Sequence, residues 1–245
     1  MEKEDKNKNK EEEEDYDTED KKIDPTVKIP SKLPNKKLIV IIEQCSLELS
    51  KSKKYPEIIN GDDHIKIIKN MKRSPEDFRP DITHQCLLSL FDSPLNKVGL
   101  LQVFIRTVNN ILIEINPKTR IPRTYKRFSG LFAQLLIKNK IKASDSNDIL
   151  LKVVNGTIKE HIKKETPIIF LTEKGRLVDI DSYAESLTKS DNKNVCVVIG
   201  ANAKGDINKL IDYANDSVSI SSYDLTSSVV CAKICTSFEK IWDIL

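Results

Sequence analysis

No apolar run in this 245-residue chain is long enough to cross a bilayer, and its first residues do not read as a signal peptide. A membrane-spanning or exported protein is therefore not expected. The cysteines (Cys45, Cys86, Cys196, Cys231 and Cys235) are odd in number and include no CxxC pair. That argues against a disulfide framework and fits reduced, buried thiols of an intracellular protein. The three histidines, His64, His84 and His161, are scattered, so no metal site is expected. Gly200 and Gly205 close "VVIGANAKG" at a spacing that matches neither GxGxxG nor a Walker loop. No Ser–His–Asp or Cys–His grouping, no paired acids and no internal repeat emerge from spacing.

Charge is present but unevenly placed. Residues 1–22 hold eleven acids and six bases, while the rest of the chain carries 34 bases against 26 acids. Residues 1–34 have almost no large apolar side chains, so they are expected to be a disordered acidic tail. Residues 106–142 hold nine Lys/Arg and a single acid, Glu114. Within them "NPKTRIPRTYKRFSG" (116–130) has five cations and no acid. An excess of that size is the footprint of a polyanionic partner, or a solvated lysine-rich face. Arg120, Arg123 and Arg127 favour the partner, because a drift of composition toward lysine does not produce arginines.

The folded body is expected over 35–245. Leu38 to Ile42 is a continuous apolar run suited to a strand buried on both faces. "DITHQCLLSLF" reads as a helix opened by Asp81. "LLQVFIRTVNNILIEINP" reads as a hairpin turning at "VNN". "PIIFLT" (167–172), "VCVVIGA" (195–201) and "SVSIS" (217–221) are further strands. A last helix, about 225–244, turns Val229, Val230, Ile234, Phe238 and Ile241 inward. Strands alternating with helices argue an α/β fold with a mostly parallel sheet.

In the basic stretch Pro122 suits a first helical turn and Thr119 a nearby cap. Phe128, Leu131, Phe132, Leu135 and Leu136 then make one inward stripe. Arg123 and Arg127 stand four apart on another face, with Arg120 just ahead. Guanidinium forks at a helix amino end bind phosphate and stack on bases. Nucleic acid suits this arrangement; a smaller phosphorylated ligand or an acidic protein also fits. Arg79 and Asp81 flank Pro80 before another helix, either as a cap with a surface arginine or as a substrate acceptor beside a phosphate anchor.

Four blocks, "RPDITHQCLLSLFDSPLNKVGLLQVFIRT", "ILIEINPKTRIPRTYKRFSGLFAQLL", "VVIGANAKG" and "SVSISSYDLTSSVVCAKICTSFEKIW", resemble the ribosome-biogenesis methyltransferases of the SPOUT class that act on nitrogen 1 of a pseudouridine in small-subunit rRNA. The resemblance covers about residues 37–245. It implies an α/β SPOUT fold with helices on both faces of the sheet, a C-terminal trefoil knot and an RNA-binding insertion at about 75–142. It also implies S-adenosylmethionine as donor, a small-subunit rRNA hairpin as substrate, a homodimer, other small-subunit assembly factors as partners and a place in the nucleus and nucleolus. By the same resemblance Arg79, Arg120, Arg123 and Arg127 contact RNA and Asp81 meets the substrate as the catalytic candidate. Leu171, Thr172, Gly200, Gly205, Ile220, Ser221, Ser222, Tyr223 and Leu225 would hold the cofactor. A non-catalytic rRNA-binding assembly factor that keeps the same fold is the alternative. The chain departs from the family pattern at Ser222-Tyr223-Asp224, where Asn-Tyr-Pro is common.

Overall fold

A computed structural model describes residues 36–50, 56–144, 146–189, 194–203 and 212–244. The acidic tail and Gly205 lie outside the described residues. One eight-stranded sheet organises the chain: β1 (Leu38–Cys45), β2 (Leu101–Thr107), β3 (Leu112–Ile115), β4 (Lys140–Lys142), β5 (Ile149–Val154), β6 (Ile168–Leu177), β7 (Val195–Gly200) and β8 (Asp216–Ser219), in the order β4-β5-β3-β2-β1-β7-β6-β8. From β2 through β1, β7 and β6 to β8 every pairing is parallel. The other wing, β2-β3-β5-β4, is antiparallel.

β1 is central because its run of Leu, Ile and Val can be buried on both sides; Leu38, Val40, Ile41 and Ile42 have no exposed surface. The hairpin turns where expected. Asn110 takes a left-handed φ of 60° and its N–H meets the Thr107 carbonyl at 2.9 Å. β4 and β5 were not anticipated and extend this hairpin outward.

The helices are α1 (Ile65–Asn70), α2 (Pro80–Phe91), α3 (Pro94–Lys97), α4 (Tyr125–Lys138), α5 (Ile158–His161), α6 (Ile180–Thr188) and α7 (Ser227–Ile241). Leu38, Val40 and Ile42 look toward α2, α4 and α7 in the larger core, which also takes Ala184 of α6. Ile39, Ile41 and Phe104 look the other way, onto Ile158 of α5 and onto Tyr213 and Ala214. Helices thus lie on both faces, with unequal cover. Among the described residues no helix is long and apolar enough to cross a membrane. All five cysteines are free and buried.

Three local expectations are corrected. α4 begins at Tyr125, with Thr124 at its cap, not at Pro122 behind Thr119. The intervening chain is held elsewhere: the Thr119 hydroxyl donates to the Leu150 carbonyl at 2.9 Å, and His84 Nε2 donates to the Pro122 carbonyl at 2.7 Å. Asp81 does not cap α2, which starts at Pro80 and leaves Asp81 in the first turn. On α7 Ile234 and Phe238 are buried and Val230 and Ile241 pack partly buried against the core as expected, Cys231 and Cys235 join them, and Val229 is exposed. α7 meets α2 along its cysteine-bearing side, which leaves Val229 outside the packed face.

Candidate active site

The parallel wing ends in a cavity of about 580 Å³. It sits at the carboxyl ends of β7 and β8 and at the mid-strand break in β6, where ligands of open α/β sheets commonly bind. Leu171, Thr172, Gly200, Ile220, Ser221, Tyr223 and Leu225 line it together, although they are distant in sequence. Ser222 belongs to the same loop without lining the cavity. Glu173, Lys174, Ser227 and Val230 also line it and were not singled out from the sequence.

Each wall has a local cause. β6 loses register with β8 between Leu171 and Arg176, which swings Thr172 to Lys174 out over the opening. Gly175 returns the chain against β8 so closely that a Cβ there would lie 2.5 Å from the Val218 carbonyl carbon. The loop after β8 is shaped by its own serines: Ser219 donates to the Ser221 carbonyl at 2.8 Å, and Ser221 Oγ accepts from the Tyr223 N–H at 2.9 Å. Ser227, in the first turn of α7, donates to the Gly200 carbonyl at 2.6 Å and ties that helix to β7.

Beneath Gly200 lies a buried polar group. Glu43 pairs in register with Gly200, its backbone carbonyl accepts from the Ala201 N–H at 2.8 Å, and it is 2% exposed. The Tyr213 hydroxyl donates to its carboxylate, and Arg106 Nε stands 3.3 Å from the same oxygen as an ion pair. Burial pushes the Glu43 carboxyl above its usual range, although the Tyr213 hydrogen bond and the Arg106 charge pull the other way. A lone acid after five apolar residues of a buried strand was the available signal, and it was missed.

The arginines gather elsewhere. His84 joins the start of α2 to the segment before α4 through Pro122, and its ring stacks on Phe128 at 4.4 Å. This brings Arg79 and Asp81 to the same region as Arg120, Arg123 and Arg127. Arg79 grips Asp81 with two hydrogen bonds, 2.8 and 2.7 Å. Arg123 is paired with Asp92. Arg120 and Arg127 are exposed and have no ion pair among the described residues. Asp81 does not line the cavity. The tie between α2 and the cavity wall is Ser89, which donates to the Ser228 carbonyl at 3.1 Å. Asp81 stands eight residues earlier, about 12 Å along the helix. Among the described residues no cluster could hold a metal.

The cavity offers both apolar and hydroxyl-bearing wall. Leu171, Ile199, Ile220, Leu225 and Val230 supply apolar wall, while Thr172, Ser221 and Ser227 supply hydroxyls. The family model described as EMG1/NEP1 methyltransferase matches residues 40–239. A Drosophila melanogaster protein named ribosomal RNA small subunit methyltransferase NEP1 is 44% identical over 214 residues, 86% of this chain and 84% of that one. The Homo sapiens protein of the same name is 40% identical over 221 residues, 90% of this chain and 88% of that one. The crystal structure of Archaeoglobus fulgidus Nep1 bound to S-adenosylhomocysteine superposes with a TM-score of 0.64 at 26% identity, covering 84% of this chain and 98% of that one. Breadth of match, agreement of fold and a cavity at the strand ends lead to one statement: the chain belongs to the EMG1/NEP1 methyltransferase family.

Proposed function

We propose that the protein methylates nitrogen 1 of a pseudouridine in small-subunit rRNA, with S-adenosylmethionine bound in the cavity at the ends of β7 and β8 and the break in β6. The observation that carries this is the convergence of residues 171–172, 200, 220–221 and 223–225 on one cavity of about 580 Å³. The names of the NEP1 relatives and the S-adenosylhomocysteine in the archaeal structure support the substrate and the donor. The deep C-terminal knot belongs to this reading. The out-of-order parallel neighbours β7, β6 and β8, which meet the cavity at the ends of β7 and β8 and at the break in β6, support it. A homodimer, association with other small-subunit assembly factors, a place in the nucleolus and the assignment of residues 75–142 to RNA belong to the same reading.

Leu171, Ile220 and Leu225 would clasp the donor's base and Thr172 and Ser221 its polar edge. The donor supplies a methyl carbon that is already electrophilic, so the protein's task is alignment. Pseudouridine N1 carries a proton that must leave, and Asp81 is the group we assign to accept its hydrogen bond. Arg79 holds that carboxylate from both oxygens and so fixes its direction. Because Asp81 lies outside the cavity wall, the target base must leave its stack and lie between α2 and the donor. Arg120 and Arg127 would hold the flanking phosphates.

Methyl transfer from tritiated S-adenosylmethionine to a short hairpin bearing pseudouridine, but not to its uridine counterpart, is the expected result. Transfer to neither, with S-adenosylhomocysteine binding also absent, would leave a scaffold that binds rRNA without catalysis. Arg127→Ala is expected to raise the Kd for the hairpin roughly tenfold, about 1.4 kcal/mol, and to leave S-adenosylhomocysteine binding unchanged. An unaltered Kd for RNA would remove the arginine face from the site. Asp81→Asn is expected to slow single-turnover transfer about tenfold while RNA affinity changes less. The opposite pattern would make Asp81 an anchor for Arg79 and nothing more.

A further inference from the structure

A second cavity, of about 740 Å³, opens between the end of α2, α3 and residues 117–123, and it shares no lining residue with the first. Its floor is apolar, from Phe91 and Ile121, which are 3% and 7% exposed. Its lining carries four cations, Lys97, Lys118, Arg120 and Arg123, against one acid, Asp92. Lys118 is engaged by Asp148 at 3.1 Å and Arg123 by Asp92. Lys97 and Arg120 are exposed and have no ion pair among the described residues. The walls are fixed before any ligand arrives. Asn96 Nδ2 donates to the Phe91 and Pro117 carbonyls at 3.3 and 3.1 Å, joining the two sides of the cavity. Asn96 is 6% exposed, and its Oδ1 is buried without a hydrogen-bond partner.

We propose that this cavity is a second nucleotide subsite, which takes an unpaired base of the bound RNA other than the one that is methylated. The inference rests on the RNA reading above and adds where a second base goes. An apolar floor with a guanidinium at the rim accepts the π-face of any base. Lys97 holds the phosphate on the base's far side, and Arg120 holds the one it shares with the target nucleotide. A protein partner is disfavoured because the opening is basic and concave, and the large apolar side chains of its lining are confined to the buried floor. The subsite sets which loop sequence is presented, so it acts on selection of the hairpin and not on transfer itself.

The test uses the full chain and a set of pseudouridine hairpins, each with one unpaired nucleotide made abasic, with Kd read by fluorescence anisotropy. For the wild type, one abasic position besides the target is expected to weaken binding about tenfold, as loss of a stacked base does. Lys97→Trp, a surface change that fills the mouth, is expected to weaken the intact hairpin by a similar factor and to abolish the penalty at that same position. Its melting temperature should match the wild type. Lys97→Ala keeps the mouth open, so the abasic penalty should persist there. If no non-target abasic hairpin binds more weakly than the intact one, or if the penalty survives in Lys97→Trp, the subsite is overturned. If the wild type does not bind the intact hairpin at all, the RNA reading itself has failed and the subsite falls with it.

Discussion

Replacing Glu43 with alanine is expected to lower stability by about 3 kcal/mol, the lower end of the loss incurred when one member of a buried charge pair is removed. The carboxylate is 3% exposed and answers two groups at once, the Tyr213 hydroxyl and the Arg106 guanidinium. Without it the hydroxyl keeps its burial and loses its acceptor, and a positive charge stays in place with no counterion. Arg106 is 22% exposed and can recover some water, which is why the lower end is expected. Glu43→Gln keeps an oxygen for Tyr213 and should lose clearly less. A urea midpoint for Glu43→Ala equal to that of the wild type would show that the three side chains do not act together. The same group makes stability depend on pH. Burial raises the folded carboxyl above its unfolded value near 4.5, so across that window the native state holds more protons than the unfolded chain. The contribution therefore falls as pH rises from the unfolded to the folded value, and Glu43→Gln should flatten the slope there.

Gly175→Val is expected to lower stability by about 3 kcal/mol and to weaken S-adenosylhomocysteine binding more than tenfold. An added Cβ would meet the Val218 carbonyl carbon, Cα and nitrogen at 2.5, 2.6 and 2.7 Å, and these are backbone atoms that cannot rotate away. β8 has to retreat from β6. Ile220 comes one residue after β8 ends, so the displacement passes directly into the loop that lines the cavity. Titration calorimetry with S-adenosylhomocysteine and a thermal melt would separate the two effects. Gly175→Ala should lie between valine and the wild type in both. Unchanged affinity in the valine variant would mean that the loop after β8 does not take its position from β6.

The parts of the site that were legible in the sequence are those whose cause is local or whose motif is long. The apolar β1, the hairpin at Asn110 and the glycine-bearing end of β7 show themselves by residue type. Leu171, Thr172 and the 220–225 loop were reached by resemblance alone, since no spacing rule joins them. What stayed hidden was set by partners far away in the chain. The start of α4 is decided by His84 and Leu150, which capture Pro122 and Thr119, and a helical wheel cannot contain them. The Arg123–Asp92 pair was hidden for the same reason. On α7 the wheel turned Val229 inward, but Cys231 and Cys235 take the packed face beside Ile234. β5 was obscured because Lys152 interrupts its apolar run; that lysine meets Glu114 on the neighbouring strand at 2.9 Å.

β4 gives part of the positive charge a second meaning. It is the outermost strand on the antiparallel wing, three residues long, with exposed Lys140 and Lys142 on either side of Ile141. An unpaired strand edge is a template on which another chain can add, and short edges studded with lysine discourage that addition. These two lysines belong to the same run of cations that first suggested an RNA partner. Their place at the rim makes them guards against self-association. Neutralising both should leave affinity for RNA nearly intact and shorten the time the purified protein stays monodisperse in low salt, where the repulsion they supply is least screened.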